Sequence, residues 1–326
     1  MLRRSGPVSP RLRSVRAVLV VNPQATSTTA AGREVLAHAL ASAVKLDVVE
    51  TKCRGHASEA ARRAVLDGVD LVIAHGGDGT VNEVVNGMLL GTPDNDEPPG
   101  RALPTLGVVP GGSANVFARA LGLPRDPVEA THRLLRAIAS GRTRWIGLGK
   151  ANDRWFTFNA GVGWDADVVA EVERLRSRGR NVTPALYART ALACYFRVSK
   201  RRPLITVRAG DEASVTGLHT AFVSNTDPWT YLGSRPMRMN PDTTFDTGLG
   251  VFSLRSMHAY SVLRHVAEML LGQAKPHGRN SFQRADMGYL HVTCEEPLRL
   301  QVDGDNLGER SEIEFASIPE ALRVAV

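Results

Sequence analysis

Residues 74–85 read AHGGDGTVNEVV: an apolar run breaks into three glycines around one aspartate and then takes up a helix-like pattern. Before it, VDLVIA (69–74) is a continuous apolar stretch, the mark of a strand buried on both faces of a parallel sheet. After it, Thr80 and Glu83 fit the Ser/Thr-x-x-Glu capping box. Val81, Val84, Val85, Met88 and Leu89 then recur at the spacing of a helix packed on a sheet. The glycines therefore occupy a strand-to-helix turn. There, unpaired N–H groups and the positive end of the helix dipole attract an anion, and missing β-carbons let a phosphate approach the backbone. A tight turn alone accounts for one or two of the glycines, so a purely structural reading stands beside the phosphate one. Asp78 sharpens the choice. A carboxylate beside phosphates repels them unless a cation intervenes, which points to a magnesium carried by a nucleotide; the blander alternative is a carboxylate that caps backbone N–H groups in the turn.

Working outward, AVLVV (17–21) is a strand that ends at Asn22-Pro23, helical spacing runs over 33–44, and LDVVE (46–50) is a strand again. Helix over 55–66, the strand at 69–74, helix over 80–90, strand over 105–109 and helices over 114–121 and 127–140 continue the alternation of βαβ units. GTPDNDEPPG (91–100) is a loop by composition. A second small-residue turn, Gly111-Gly112-Ser113, follows the strand at 105–109, and the hydroxyl-rich NPQATSTT (22–29) follows the first strand. Three such turns build one crevice at the carboxyl ends of a parallel sheet. Beyond about residue 141 short alternating runs separated by turn residues predict a mainly β second half, interrupted by two helices at 184–198 and 259–271.

The chain has 326 residues, 43% hydrophobic and 22% charged, enough for two domains. It lacks a run of membrane-spanning length and a secretory signal pattern, which predicts a cytoplasmic protein. Cys53, Cys194 and Cys294 match no zinc spacing and read as free or buried thiols. The nine histidines show no ligand spacing. The net charge is +7, but residues 1–16 hold five arginines and residues 176–202 eight basic side chains, neither with an acid; removing them leaves −6 for the rest. The first segment reads as a disordered basic arm (1–15). No nucleic-acid-binding signature accompanies the charge, so no nucleic acid partner is expected, whereas an anionic membrane surface suits basic residues beside apolar ones. In PALYARTALACYFRV (184–198), Leu186, Tyr187, Leu192, Tyr195 and Phe196 are bordered by Arg189, Arg197, Lys200, Arg201 and Arg202, which fits membrane contact as well as core packing. A P-loop and a dinucleotide fingerprint are both missing, as are His-Glu-x-x-His and Gly-x-Ser-x-Gly.

VNPQAT (21–26), GGDGTVNEV (76–84), PGGSANVFARALGLP (110–124), FNAGVGWDADV (158–168) and VDGD (302–305) occur in the order seen in the diacylglycerol kinase catalytic family, and over nearly the whole chain the sequence resembles it. The resemblance implies a three-layer α/β parallel-sheet domain that binds ATP (16–142, with 313–326 returning to it). It also implies a mainly antiparallel β-sandwich domain that binds lipid (143–312), with the active site in the cleft between. By position the family's nucleotide contacts fall on Asn22, Pro23, Gln24, Ala25 and Thr26, on Thr51, on Gly76, Gly77, Asp78, Gly79, Thr80, Val81 and Asn82, and on Ser113. The implied reaction is ATP- and magnesium-dependent phosphorylation of a hydroxyl of diacylglycerol or a similar lipid, at the inner face of the membrane, with Asp78 near the nucleotide's magnesium and Asp303 as general base. Asp303-Gly304 also reads as a hairpin turn.

Departures from the family are Thr26, where a glycine is usual, Val116 in place of an aspartate, and Asp305 in place of a glutamate. Phe245-Asp246-Thr247-Gly248-Leu249 lacks the second acid of a structural magnesium site, leaving Asp246 alone for it. A homodimer stays open. So do an NAD kinase-like phosphotransferase, which shares the Gly-Gly-Asp turn, and a non-catalytic lipid or nucleotide sensor.

Overall fold

The computed structural model describes residues 15–25, 29–90, 103–180, 183–271 and 279–326. The basic arm up to residue 14, Thr26 and the loop at 91–100 lie outside the described residues.

The first half alternates strictly: β1 (Arg16–Val21), α1 (Ala30–Ala41), β2 (Lys45–Glu50), α2 (His56–Leu66), β3 (Leu71–Gly76), α3 (Asp78–Leu90), β4 (Thr105–Pro110), α4 (Val116–Ala120) and α5 (Pro127–Ser140). β1 pairs in parallel with β2 and β3, and β3 with β4. Side chains of a strand alternate between faces, and both faces are covered. Val18, Val20, Val72 and Ala74 pack with residues of α2 and α3, while Ala17, Leu19, Leu71 and Ile73 pack with Leu36 and Leu40 of α1 and Leu134 of α5. This is the three-layer α/β domain that the doubly buried run at 69–74 predicts.

The second half contains β5 (Thr143–Ala151), β6 (Arg154–Phe156), β7 (Asn159–Gly163), α6 (Trp164–Ser177), α7 (Pro184–Val198), β8 (Ile205–Ala209), β9 (Val215–Leu218), β10 (Thr220–Ser224), β11 (Thr230–Leu232), β12 (Arg235–Met237), β13 (Leu249–Leu254), α8 (Ala259–Leu271), β14 (Ser281–Met287), β15 (Tyr289–Val302) and β16 (Asp305–Ala325). The first part of β15 pairs with β8, and its last residues pair with β7. β16 runs beside both parts of β15 and on to β5. One long hairpin thus serves two antiparallel layers, which enclose Phe156, Val162, Val207, Val251, Val292, Leu300 and Phe315. At its far end β16 pairs with β4, Val324 opposite Leu106, so the chain's last strand joins the parallel sheet.

Three sequence expectations are corrected. The second half holds three helices among its described residues, α6 standing beside the two that the sequence predicts. Its apolar positions Ala166, Val168, Val169 and Val172 are buried, but two early acids and a preceding glycine-rich strand mask the helical period. The helix expected over 114–121 shrinks to α4, because Asn115 is left-handed (φ 48°) and its amide closes on Gly112 at both N–H (2.9 Å) and C=O (2.7 Å). The capping box is absent: α3 begins at Asp78, placing Thr80 inside it, and Glu83 instead caps α2, accepting from Gly55 N (2.9 Å) and Ala57 N (3.2 Å).

Candidate active site

The two glycine turns lie back to back. A β-carbon on Gly112 would stand 2.7 Å from the Gly77 Cα, one on Gly111 3.0 Å from the Gly76 Cα, and one on Gly76 2.5 Å from the Thr80 hydroxyl. Gly111 N donates to Gly76 O (2.8 Å). Gly77, Gly111 and Gly112 are therefore small so that turn can pack on turn, and Gly76 so that Thr80 fits beside it. Gly79 is different: it is exposed and a β-carbon there meets nothing within 4 Å. The first i−4 bond of the helix runs from Val81 N to Gly77 O (3.1 Å), which leaves the amides of Asp78, Gly79 and Thr80 in the first turn without intrahelical acceptors. The opening at Gly79, with exposed Ser113 on the neighbouring turn, is where an anion fits.

Asp78 is half-buried, and one of its oxygens accepts Phe117 N at the start of α4 (3.1 Å). Burial lifts its pKa to about 6, the backbone amides of Val116 and Phe117 draw it down, and the charge of Asp303 adds to the rise. Among the described residues no group of three or more His, Cys, Asp or Glu could hold a metal ion. A single carboxylate suits a magnesium that brings phosphate oxygens with it rather than one caged by protein.

Across from α3, Asp303 and Gly304 form the two-residue turn between β15 and β16, with φ 48° and 85° and Val302 paired with Asp305. Asp303 is 5% exposed. One oxygen accepts from Asn82 Nδ2 (2.7 Å), Thr157 N (2.7 Å) and Thr157 Oγ1 (2.8 Å). The other accepts from Phe158 N and Asn159 N (both 3.0 Å). Burial raises its pKa and the backbone amides of 157–159 oppose that rise. A carboxylate offers about four lone-pair sites, and five donors use all of them. The group thereby anchors the turn to residues 157–159 and to α3. Asp305, two residues on, is 20% exposed at its side chain and faces Arg54 (3.2 Å) and Arg154 (3.6 Å). Burial raises its pKa, while those two guanidinium groups lower it.

Residues 16–151 match the family model of the diacylglycerol kinase catalytic domain. The match covers less than half of the chain. The diacylglycerol kinase of Bacillus subtilis (strain 168) is 45% identical over 113 residues, 35% of this chain and 33% of the relative. That of Staphylococcus epidermidis (strain ATCC 35984) is 40% identical over 145 residues, 43% and 41% of the two chains. The alignments thus span well under half of those relatives' length. In architecture the likeness is wider. A crystal structure of a diacylglycerol kinase from Bacillus anthracis str. Sterne superposes with TM-score 0.69 at 20% identity over 97% of this chain and 98% of that one. A second solved chain from the same strain gives 0.74 at 22% over the same shares. At such identity the structures establish the fold, an α/β parallel-sheet part followed by an antiparallel β part.

The remaining sequence candidates divide. Asn22 stands beside Thr80, its Nδ2 donating to Thr80 Oγ1 (3.2 Å), and its Oδ1 accepts Gln24 N (2.9 Å). Pro23 and Ala25 are partly exposed and Gln24 is exposed, at the crevice rim, with Ala25 against Gly111. Thr51 follows β2, its amide bonded to Val21 O (2.8 Å). Asn82 and Val81 both face inward. Val81 is buried in the core, and Asn82, fully buried, spends its amide on Trp155 O, Asp303, Arg154 and Asn86. Asp246 is paired with Arg144 (2.5 Å) and highly exposed, so a protein cation answers its charge and the donor set for a structural magnesium is not assembled there. Sequence reasoning missed Arg54, Arg154 and Thr157. The first two carried a signal in hindsight, cations next to the family's motifs, yet nothing local places residues 54, 154 and 305 together.

Proposed function

We propose that this chain is an ATP-dependent lipid kinase that transfers the γ-phosphate of ATP to a hydroxyl of diacylglycerol or a similar lipid, in the cleft between the α/β and β-sandwich parts. The observation that carries the reading is the meeting, through Asn82, of the open first turn of α3 with the acidic turn of the long hairpin. A donor site for phosphate and an acceptor site for a proton then face one cleft.

The first-turn amides around Gly79 hold phosphate oxygens, and Ser113 adds a hydroxyl from the adjoining turn. Magnesium, when bound with the nucleotide beside Asp78, neutralises phosphate charge. Asp305 accepts the proton of the lipid hydroxyl, for it is the one acid of the turn with capacity to spare. Asp303 fixes its position. The lipid side is supported by Leu192 and Phe196 of α7, 55% and 56% exposed, next to exposed Arg197, Lys200, Arg201 and Arg202, which suits an acidic bilayer surface. Tyr187 and Tyr195 of the same helix pack inward. Among the described residues no helix is long and apolar enough to cross a membrane.

The test is transfer of label from γ-labelled ATP to diacylglycerol in mixed micelles, with NAD as the competing acceptor. Labelled phosphatidate is expected from the wild type. Asp305→Asn should lose at least 10²-fold in kcat, in the range for removal of a general base. Labelling of NAD instead of lipid, or full activity of Asp305→Asn, would sink the reading.

A further inference from the structure

Asp305 lies between two guanidinium groups delivered by different parts of the fold. Arg54 comes from the loop that leads into α2, and Arg154 opens β6. Each touches one oxygen of the carboxylate, at 3.2 and 3.6 Å. Arg54 also meets Glu173 of α6 (3.4 Å), and Arg154 NH2 donates to Asn82 Oδ1 (2.5 Å). Neither contact with Asp305 is the bidentate fork that arginine and carboxylate favour. Among the described residues Arg154 Nε is buried with no hydrogen-bond partner, a desolvated donor on a charged group. An orphan of this kind is costly and calls for explanation. The position supplies one. Arg154 and Asp303 hold opposite ends of the same Asn82 amide, one helical turn beyond the opening at Gly79. Arg154 is thus tied through Asn82 to the helix whose first turn opens at Gly79.

We propose that Arg54 and Arg154 form the cation pair that takes the transferred phosphoryl group, and that the Asp305 carboxylate holds their place while the cleft is empty. The proposal rests on the kinase reading for the reaction. Three equatorial oxygens match two forks better than one carboxylate does, and charge on those oxygens is what a phosphoryl-transfer enzyme must stabilise. When the guanidinium groups turn to the phosphate, Asp305 loses its counter-cations and becomes the better proton acceptor. In the step itself the lipid oxygen bonds to the γ-phosphorus and its proton passes to Asp305. The bond from the γ-phosphorus to the bridging oxygen breaks, and its electron pair leaves on ADP. Glu173 and Asp303 also act on Asp305 through their charge, each raising its pKa.

Binding is measured by titration calorimetry with magnesium tripolyphosphate, a probe that needs neither lipid nor turnover, and phosphotransfer is measured in parallel. Asp305→Asn removes the competing carboxylate, so it should bind tripolyphosphate about tenfold more tightly even as transfer collapses, since charge-assisted contacts dominate such sites. Arg154→Gln should lose about 10²-fold in kcat with little change in lipid KM. In the double variant with Asp305→Asn it should cancel the gain in affinity. Arg154→Lys should recover part of the loss, because it restores charge without the fork. If Arg154→Gln fails to fold, Arg54→Gln, at an exposed side chain, supplies the same comparison. Unchanged or weaker tripolyphosphate binding by Asp305→Asn overturns the proposal, as does kcat within twofold of wild type in the arginine variants. A wild type that binds tripolyphosphate in this pattern yet phosphorylates no lipid would overturn the kinase reading and leave the cation pair standing.

Discussion

At Asp303 a single residue meets two demands that normally conflict. The hairpin needs positive φ at both turn positions, which aspartate tolerates better than most non-glycine residues. The buried carboxylate needs donors, which three successive amides, a hydroxyl and an asparagine supply. Replacing it with asparagine would set an NH2 group against backbone N–H donors that have no other acceptor. Asp303→Asn should therefore lose about 3 kcal/mol of stability, the scale of breaking a buried charged network, read as a shift in urea midpoint. A variant as stable as wild type would mean the five bonds are not what holds the turn. The pair Asp303-Gly304 was legible as a turn and the triplet as the acidic site. Which acid is spent and which is available was not, because that depends on the amides of residues 157–159, 144 to 146 residues away in sequence.

The elements repeat this division. The period of α3 and the buried strand before it were plain, and the helix duly packs Val84, Val85 and Met88 into the sheet. What Glu83 does was misread from local pattern, since its carboxylate turns to the free amides of α2 instead of its own helix. Those amides belong to the loop that carries Arg54, with left-handed Gly55 at its corner. Glu83→Ala should cost about 1 kcal/mol, as for other lost N-terminal caps. It should also raise hydrogen exchange at Gly55 and Ala57 specifically; unaltered exchange there would remove the capping role. The glycine pairs show the same limit. Sequence announces a bare turn, but only the contact of Gly76 and Gly77 with Gly111 and Gly112 says that most of the bareness serves backbone packing.

On the scale of the molecule, one hydrogen-bonded chain crosses from α6 to α3. Asp165 accepts Gln301 Nε2 (2.6 Å), Gln301 also donates to Asn159 Oδ1 (3.0 Å), Asn159 N binds Asp303, and Asp303 accepts Asn82. Burial lifts the Asp165 pKa to about 7 against the pull of Gln301. For an acid whose folded pKa lies above its unfolded value, the folded state retains the proton longer. Its contribution to stability is then full below about pH 4 and is lost as pH rises through 7. Asp165→Asn should flatten this fall: the variant's stability relative to wild type should climb by a few kcal/mol at most between pH 4.5 and 7.5. Urea midpoints that stay parallel over that range would contradict it.

By itself the sequence determined the α/β alternation, the mainly β second half and the two segments that meet through Asn82 and Asp303, because hydrophobic period and glycine turns are written within a few residues of one another. Tertiary structure alone decided which glycines are packed and which is open, which acid is consumed, and which arginines stand beside it. Those outcomes depend on where hydrogen-bond partners distant in the chain come to rest, and a buried group's chemistry is set by its partners rather than by its neighbours in sequence.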